Sequence, residues 1–271
     1  MTLTLEFTGN ATVPVEVEGI TPDAIKSFAT AEIEQLEVFH GNEQAHLADF
    51  FKVSGDSASE KMVWTGDLTG VHWIGAKMNG GEIRIDGDAG RHIGSEMKAG
   101  TITVNGNVSG WLGSEMKGGL IHVHGDAGHL VGAAYRGSER GMNRGTILVD
   151  GNAGNEIGHT MRRGLIAIGG NTGDLIGFNM LAGTIVIMGE PGIRHGAGMR
   201  RGTIAFLGEN HPELLPSFKF ACQYRPGFMP VLTRHLASLN FDMSSLSGDE
   251  SYDLHHGDFL DGGRGEIITK A

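Results

Sequence analysis

Aliphatic residues return at a fixed beat through the middle of this chain. Two positions after a glycine stand Ile83, Ile102, Ile121, Ile147, Ile166, Ile185 and Ile204, and two further on stand Ile85, Val104, Val123, Val149, Ile168, Ile187 and Phe206. The leading glycines, Gly81, Gly100 and Gly119 and then Gly145, Gly164, Gly183 and Gly202, are spaced by 19 residues, except for a longer interval that holds Tyr135–Gly141. Spacing by two puts both aliphatic columns on one face of a short strand, and β-branched residues suit that pleated surface. A third column, Met78, Met97, Met116, Met142, Met161, Met180 and Met199, falls on another side of each turn. Unbranched thioethers fill irregular gaps there, so the methionines are assigned to the interior and not to a metal or haem. A strand of about five residues cannot bury its aliphatic face alone; stacking turn on turn, with parallel strands about 4.8 Å apart, does so. A repeat of this size signals a solenoid. The expected fold is mainly β, a right-handed parallel β-helix of about seven 19-residue coils over residues 59–209, since parallel crossovers are overwhelmingly right-handed. Glycines at the corners supply the positive φ that tight bends need.

The ends leave the beat. Residues 1–58 predict an N-terminal α/β cap, with strands over 3–7, 13–19, 36–42 and 48–56 and a short helix opening at Thr21, its N-cap, and Pro22. Residues 210–271 predict a C-terminal cap and tail. An amphipathic helix over 230–241 is expected to close the far end of the rod, a polar stretch follows over 242–253, and a final strand docks on the body or on a partner.

Composition narrows the class. Glycine accounts for 45 of 271 residues, more than twice the usual share of about 7%, but no three-residue period exists to indicate collagen. A net charge of −11 argues against nucleic acid or an anionic membrane as the partner, without forbidding a local basic patch. A single cysteine, Cys222, cannot build a disulfide framework or hold an iron–sulfur cluster. Neither a membrane-length apolar run nor a signal-peptide core is visible, so a cytoplasmic location is expected.

The stretch GLIAIGGNTGDLIG looks at first like a phosphate loop, but it lacks the Gly-Lys-Ser/Thr ending and its glycines recur in every coil. His122 and His124 share the outward face of one strand with Asp150 one coil on, and His129 is near. These are read as surface histidines, and no metal site is assigned. Asp86 and Asp150 share an outward column three coils apart, while Glu96 and Glu115 precede Lys98 and Lys117 as exposed ion pairs, so no acid/base couple emerges. No catalytic residue is assigned. Two surface trends stand out. Lys98, Lys117, Arg144, Arg162, Arg163, Arg200 and Arg201 stack into a basic ledge, either locally paired or receiving an acidic partner or polyanionic cofactor tail. The outward mid-strand column runs from Arg84, Thr103 and His122 to Leu148, Ala167, Val186 and Ala205, which predicts a cover from the C-terminal segment or another subunit.

With its lead-in GNEQAHLADFFKVSGD, its G-x-I-x-V-x-G coils and its tail HHGDFLDGGRGEI, the chain resembles the C subunit of formylmethanofuran dehydrogenase. Through the glycine repeat alone it is also similar to the C-terminal β-helix of the glutamate synthase large subunit. The first resemblance implies a non-catalytic scaffold in a multisubunit enzyme of one-carbon metabolism. In the methylotroph formyltransferase/hydrolase complex, a formyl group passes from tetrahydromethanopterin to a methanofuran-type cofactor and leaves as formate, in formaldehyde oxidation. The implied partners are amidohydrolase-like A, B and formyltransferase D subunits, and this chain is not expected to bind a cofactor firmly. The alternatives are the C subunit of a tungsten or molybdenum dehydrogenase, a glutamate synthase-type β-helix subunit, and a stand-alone carbohydrate-active β-helix enzyme.

Overall fold

The structure, a computed structural model, describes residues 2–9, 12–246, 248 and 250–271. In chain order its elements are β1 (Leu3–Phe7), β2 (Val15–Glu16), α1 (Pro22–Ile25), α2 (Thr30–Glu34), β3 (Glu37–His40), β4 (Glu43–His46), β5 (Phe51–Ser54), β6 (Lys61–Thr65), β7 (Val71–His72), β8 (Asn79–Asp86), β9 (Ala99–Val104), β10 (Lys117–Val123), β11 (Arg144–Val149), β12 (Leu165–Ile168), β13 (Thr184–Ile187), β14 (Gly202–Phe206), β15 (Lys219–Tyr224), α3 (Met229–Ser238), β16 (Tyr252–Gly257) and β17 (Gly265–Lys270).

The repeat folds as the expected parallel β-helix. Strands β8 to β14 pair in parallel and in register: Ile83 faces Ile102, then Ile121, Ile147, Ile166, Ile185 and Ile204. All seven isoleucines and all seven methionines of the repeat are buried in one continuous core. A second wall is marked by parallel bridges linking Leu68, Ala89, Val108, Ala127, Ala153 and Thr172. At the corner after each strand, the side-chain oxygen of Asp88, Asn107, Asp126, Asn152 and Asn171 accepts the backbone N–H of its counterpart one coil on, at 2.6–2.8 Å. That ladder accounts for the Asp/Asn that follows the strand-ending glycine in these coils, because it satisfies corner N–H groups that no strand pairs.

Both termini extend the same sheet. Strand β1 pairs in parallel with β6, and β6 with β8, so Leu3, Met62 and Ile83 continue the ladder downward. At the other end β17 pairs in parallel with β14, placing Ile267 against Ile204 and Gly265 against Gly202. The tail therefore docks on the body, as a further rung separated from β14 by a long excursion.

Three expectations are corrected. The strand expected over 13–19 shrinks to β2, since Pro14 lacks an N–H and the chain bends at Gly19 with φ +86°. Thr21 occupies the N-cap position of α1, but its side chain makes no capping bond. The C-terminal helix does not close the rod end. Instead α3 lies over the outward sheet face, where Met229 and Leu236 bury Leu148, Ala167, Val186 and Ala205 together with Phe241, Met243 and Ile268. The cover of that face is the chain's own C-terminal segment, and the four outward residues are fully buried without a second subunit. Phe218, with Leu214 and Leu215, packs against the interior core near Gly196 and Ile267 instead. The short elements α2 and β4 had no clear sequence signal. Within the polar stretch, Ser247 and Asp249 lie outside the described residues.

Candidate functional site

The ledge residues follow the methionine column, and the ladder stacks them. The backbone N–H groups of Lys98, Lys117, Arg162 and Arg200 each donate to the carbonyl of the methionine one coil back, at 2.7–2.8 Å. The side chains divide into two groups. Lys117 is held by Glu96 at 3.0 Å, while Arg162, Arg163, Arg200 and Arg201 converge, with Arg264 from the tail, on a groove of about 330 Å3 floored by Leu181 and Ala182. Lys98, Lys117 and Arg144 do not line it. Arg200 approaches Asp261 at 3.9 Å; Arg162, Arg163, Arg201 and Arg264 have no ion-pair partner among the described residues. Sequence spacing could not reveal Arg264, because only the pairing of β17 with β14 brings it there. Five guanidinium groups around a shallow groove favour a carboxylate- or phosphate-rich ligand, since each offers a planar fork of donors.

A second cluster lies on the outward face of β10 and the corner after β11. His122 Nε2 meets Asp150 Oδ1 at 2.8 Å, and His124 Nδ1 meets Asp150 Oδ2 at 2.7 Å. Register explains it: Val123 pairs with Val149, so Asp150 lies beside His124 and diagonal to His122. Partial burial would raise the Asp150 pKa, but the hydrogen bonds from the two imidazoles outweigh it and hold the carboxyl below its ordinary value. His122, paired in the sheet with the covered Leu148, is buried, contrary to its assignment as a surface histidine.

A third feature escaped the sequence reading. Trp73, His92 and Trp111 occupy one repeat position in consecutive coils, and they stack. Trp73 and His92 lie parallel with ring centroids 4.0 Å apart, His92 and Trp111 are 5.9 Å apart, and Tyr135 packs alongside all three, 5.2 Å from Trp111 and 5.7 Å from His92. His92 Nδ1 is 3.2 Å from the Tyr135 hydroxyl. Desolvation, aided by the His72 and Arg91 charges, lowers the His92 pKa to about 4, so the row carries a neutral imidazole at neutral pH. The 19-residue recurrence of aromatic rings was the available signal. All three ring-bearing corners have φ between 65° and 69°, held left-handed because each N–H bonds a carbonyl of the next coil.

No family model matches this sequence. Among curated proteins, the C subunit of the tungsten-containing formylmethanofuran dehydrogenase 2 of Methanothermobacter thermautotrophicus is 43% identical over 85 residues, 30% of this chain and 32% of that protein. The C subunit of the molybdenum-containing formylmethanofuran dehydrogenase 1 of Methanothermobacter marburgensis is 44% identical over 79 residues, 29% of this chain and 20% of that protein. The matched segment thus spans about a third or less of these relatives. A solved structure extends the likeness from that segment to both ends. A chain of the formyltransferase/hydrolase complex from Methylorubrum extorquens, crystallised with methylofuran, superposes with a TM-score of 0.91 at 32% identity, covering 99% of both chains. The chain belongs to the family of formylmethanofuran dehydrogenase C subunits. In this family member, the arginine groove and the aromatic row lie at corners of the coils, while the histidine–aspartate cluster lies at the edge of the face that α3 covers. No helix among the described residues is long and apolar enough to cross a membrane.

Proposed function

We propose that this chain is the structural, non-catalytic C subunit of a cytoplasmic formyltransferase/hydrolase complex. In that complex a formyl group moves from tetrahydromethanopterin to a methanofuran-type cofactor and is released as formate, in reactions carried by amidohydrolase-like and formyltransferase subunits. The observation that carries this reading is the end-to-end likeness, at 32% identity and a TM-score of 0.91, to a chain of such a complex. The surface supports a life among partners. Among the described residues, strand β15 is one of the two edges of the large sheet and is largely exposed, and Phe220, Val231 and Leu260 are more than half exposed. The arginine groove receives an acidic partner segment or the glutamate-rich tail of the cofactor. A second reading, the C subunit of a tungsten or molybdenum dehydrogenase, is favoured by the 43–44% identity of the matched segment to those relatives. Affinity purification of the tagged chain from its native host separates the two. Co-purifying amidohydrolase-like and formyltransferase subunits without a pterin–metal subunit is the expected result; a pterin–metal subunit with iron–sulfur clusters would move the chain to the dehydrogenase. A lone chain with its own enzymatic activity would sink the scaffold reading.

A further inference from the structure

The His122, His124 and Asp150 cluster has a geometry that surface ion pairing does not require. Two imidazole nitrogens and a carboxylate oxygen lie within 4.8 Å of one another, and both oxygens of Asp150 are already turned toward the two rings. The rings are 4.3 Å apart and tilted by 48°, and each turns one nitrogen toward the same carboxylate. His122 is only 6% exposed and is fixed by its surroundings, while the more exposed His124 has room to turn. We propose that this cluster is a divalent-cation site of the zinc class, with His122 Nε2, His124 Nδ1 and one Asp150 oxygen as ligands and water in the remaining position. Two imidazoles with one carboxylate are a common ligand set for zinc; tetrahedral binding at about 2.0–2.2 Å sets ligand atoms roughly 3.4 Å apart, so the 2.7–2.8 Å nitrogen–oxygen contacts seen here open slightly to admit the ion. A turn of the partly exposed His124 ring supplies that adjustment.

The location gives the site a purpose. His122 and His124 belong to the coil before the Tyr135–Gly141 insertion, and Asp150 to the coil after it. Between Gly119 and Gly145 the covalent path is longer than in the other coils of the repeat, so a metal shared by β10 and the end of β11 clamps the stack across that insertion. Binding the folded and not the unfolded chain, it raises stability in proportion to its occupancy.

The test uses the full chain, stripped with chelator. Calorimetric titration with Zn2+ is expected to show one equivalent bound at micromolar or tighter affinity, with a rise of a few degrees in melting temperature. Co2+ in its place should give visible absorption bands of a tetrahedral nitrogen–oxygen site. His124→Gln and Asp150→Asn should each weaken binding by about tenfold or more, whereas replacing His255 and His256 together by Ala should not. Failure of the unaltered chain to bind one equivalent below about 100 µM overturns the proposal, as does binding that survives both ligand substitutions or disappears with the tail histidines. Because the unaltered chain is measured first, a poorly folding variant cannot leave the question open.

Discussion

His195 stands where other coils carry Ile74, Ile93, Leu112, Val131, Ile157 and Ile176. The column's meaning was legible: an aliphatic before a corner glycine packs inward. What the histidine does was not, because only the fold places it against Phe206, with ring centroids 4.9 Å apart and 1% of its surface exposed. Its Nδ1 accepts the Ile176 N–H at 3.4 Å, and its Nε2 has no partner among the described residues. Burial pushes its pKa below the ordinary 6.5, with Gly192 and Asp174 opposing only in part. The unfolded chain takes up a proton near pH 6.5 that the folded chain refuses, so the stability from a neutral His195 is present above that pH and is lost as pH falls below it. One such group contributes at most about 1.4 kcal/mol per pH unit. Melting temperature should therefore drop between pH 7.5 and 5.5, and His195→Leu, which restores the aliphatic column, should flatten the slope. An unchanged slope in that variant would show that His195 is not the group responsible.

Among the elements, the strands were legible and the role of α3 was not. Ile83 to Ile204 announce β8 to β14 because a period of two within a period of 19 admits little else. The apolar outward column of the later coils also announced a cover, but not whose. A helix's amphipathic pattern says that one side is buried; it does not say against which surface. In the fold Leu236 is fully buried between the sheet face and the residues Met229, Phe241 and Tyr252. Leu236→Ala should cost about 2–5 kcal/mol by the lost transfer energy and the cavity left behind. It should also raise dye binding to exposed apolar surface, because Val186 and Ala205 lie beneath it. A loss below about 1 kcal/mol in a denaturant melt would mean that α3 is a loosely held flap and that a partner supplies the real cover.

At the scale of the whole molecule, the arginine groove is a property that no single coil possesses. Arg162 and Arg163 come from one coil, Arg200 and Arg201 from two coils on, and Arg264 from a tail strand far along the chain. Replacing Arg162, Arg163, Arg200 and Arg201 by Ala should leave the melting temperature within a degree or two, since exposed charges contribute little to folding. It should weaken retention of the acidic cofactor or of a partner subunit, increasingly so at low salt where the screening length is long. Complex yield and cofactor affinity identical to those of the unaltered chain would rule the groove out. By itself the sequence determined the solenoid, its register and its interior, because a repeat writes the same local requirement seven times and any error in alignment exposes a whole aliphatic column. Only the tertiary structure decided what the non-repeating segments do. The excursion after β14 returns as one more rung, α3 covers a flank, and Arg264 joins the arginines of the coils. Those contacts join residues that no period connects, so their partners are chosen by how the coils and tail pack and not by any local pattern.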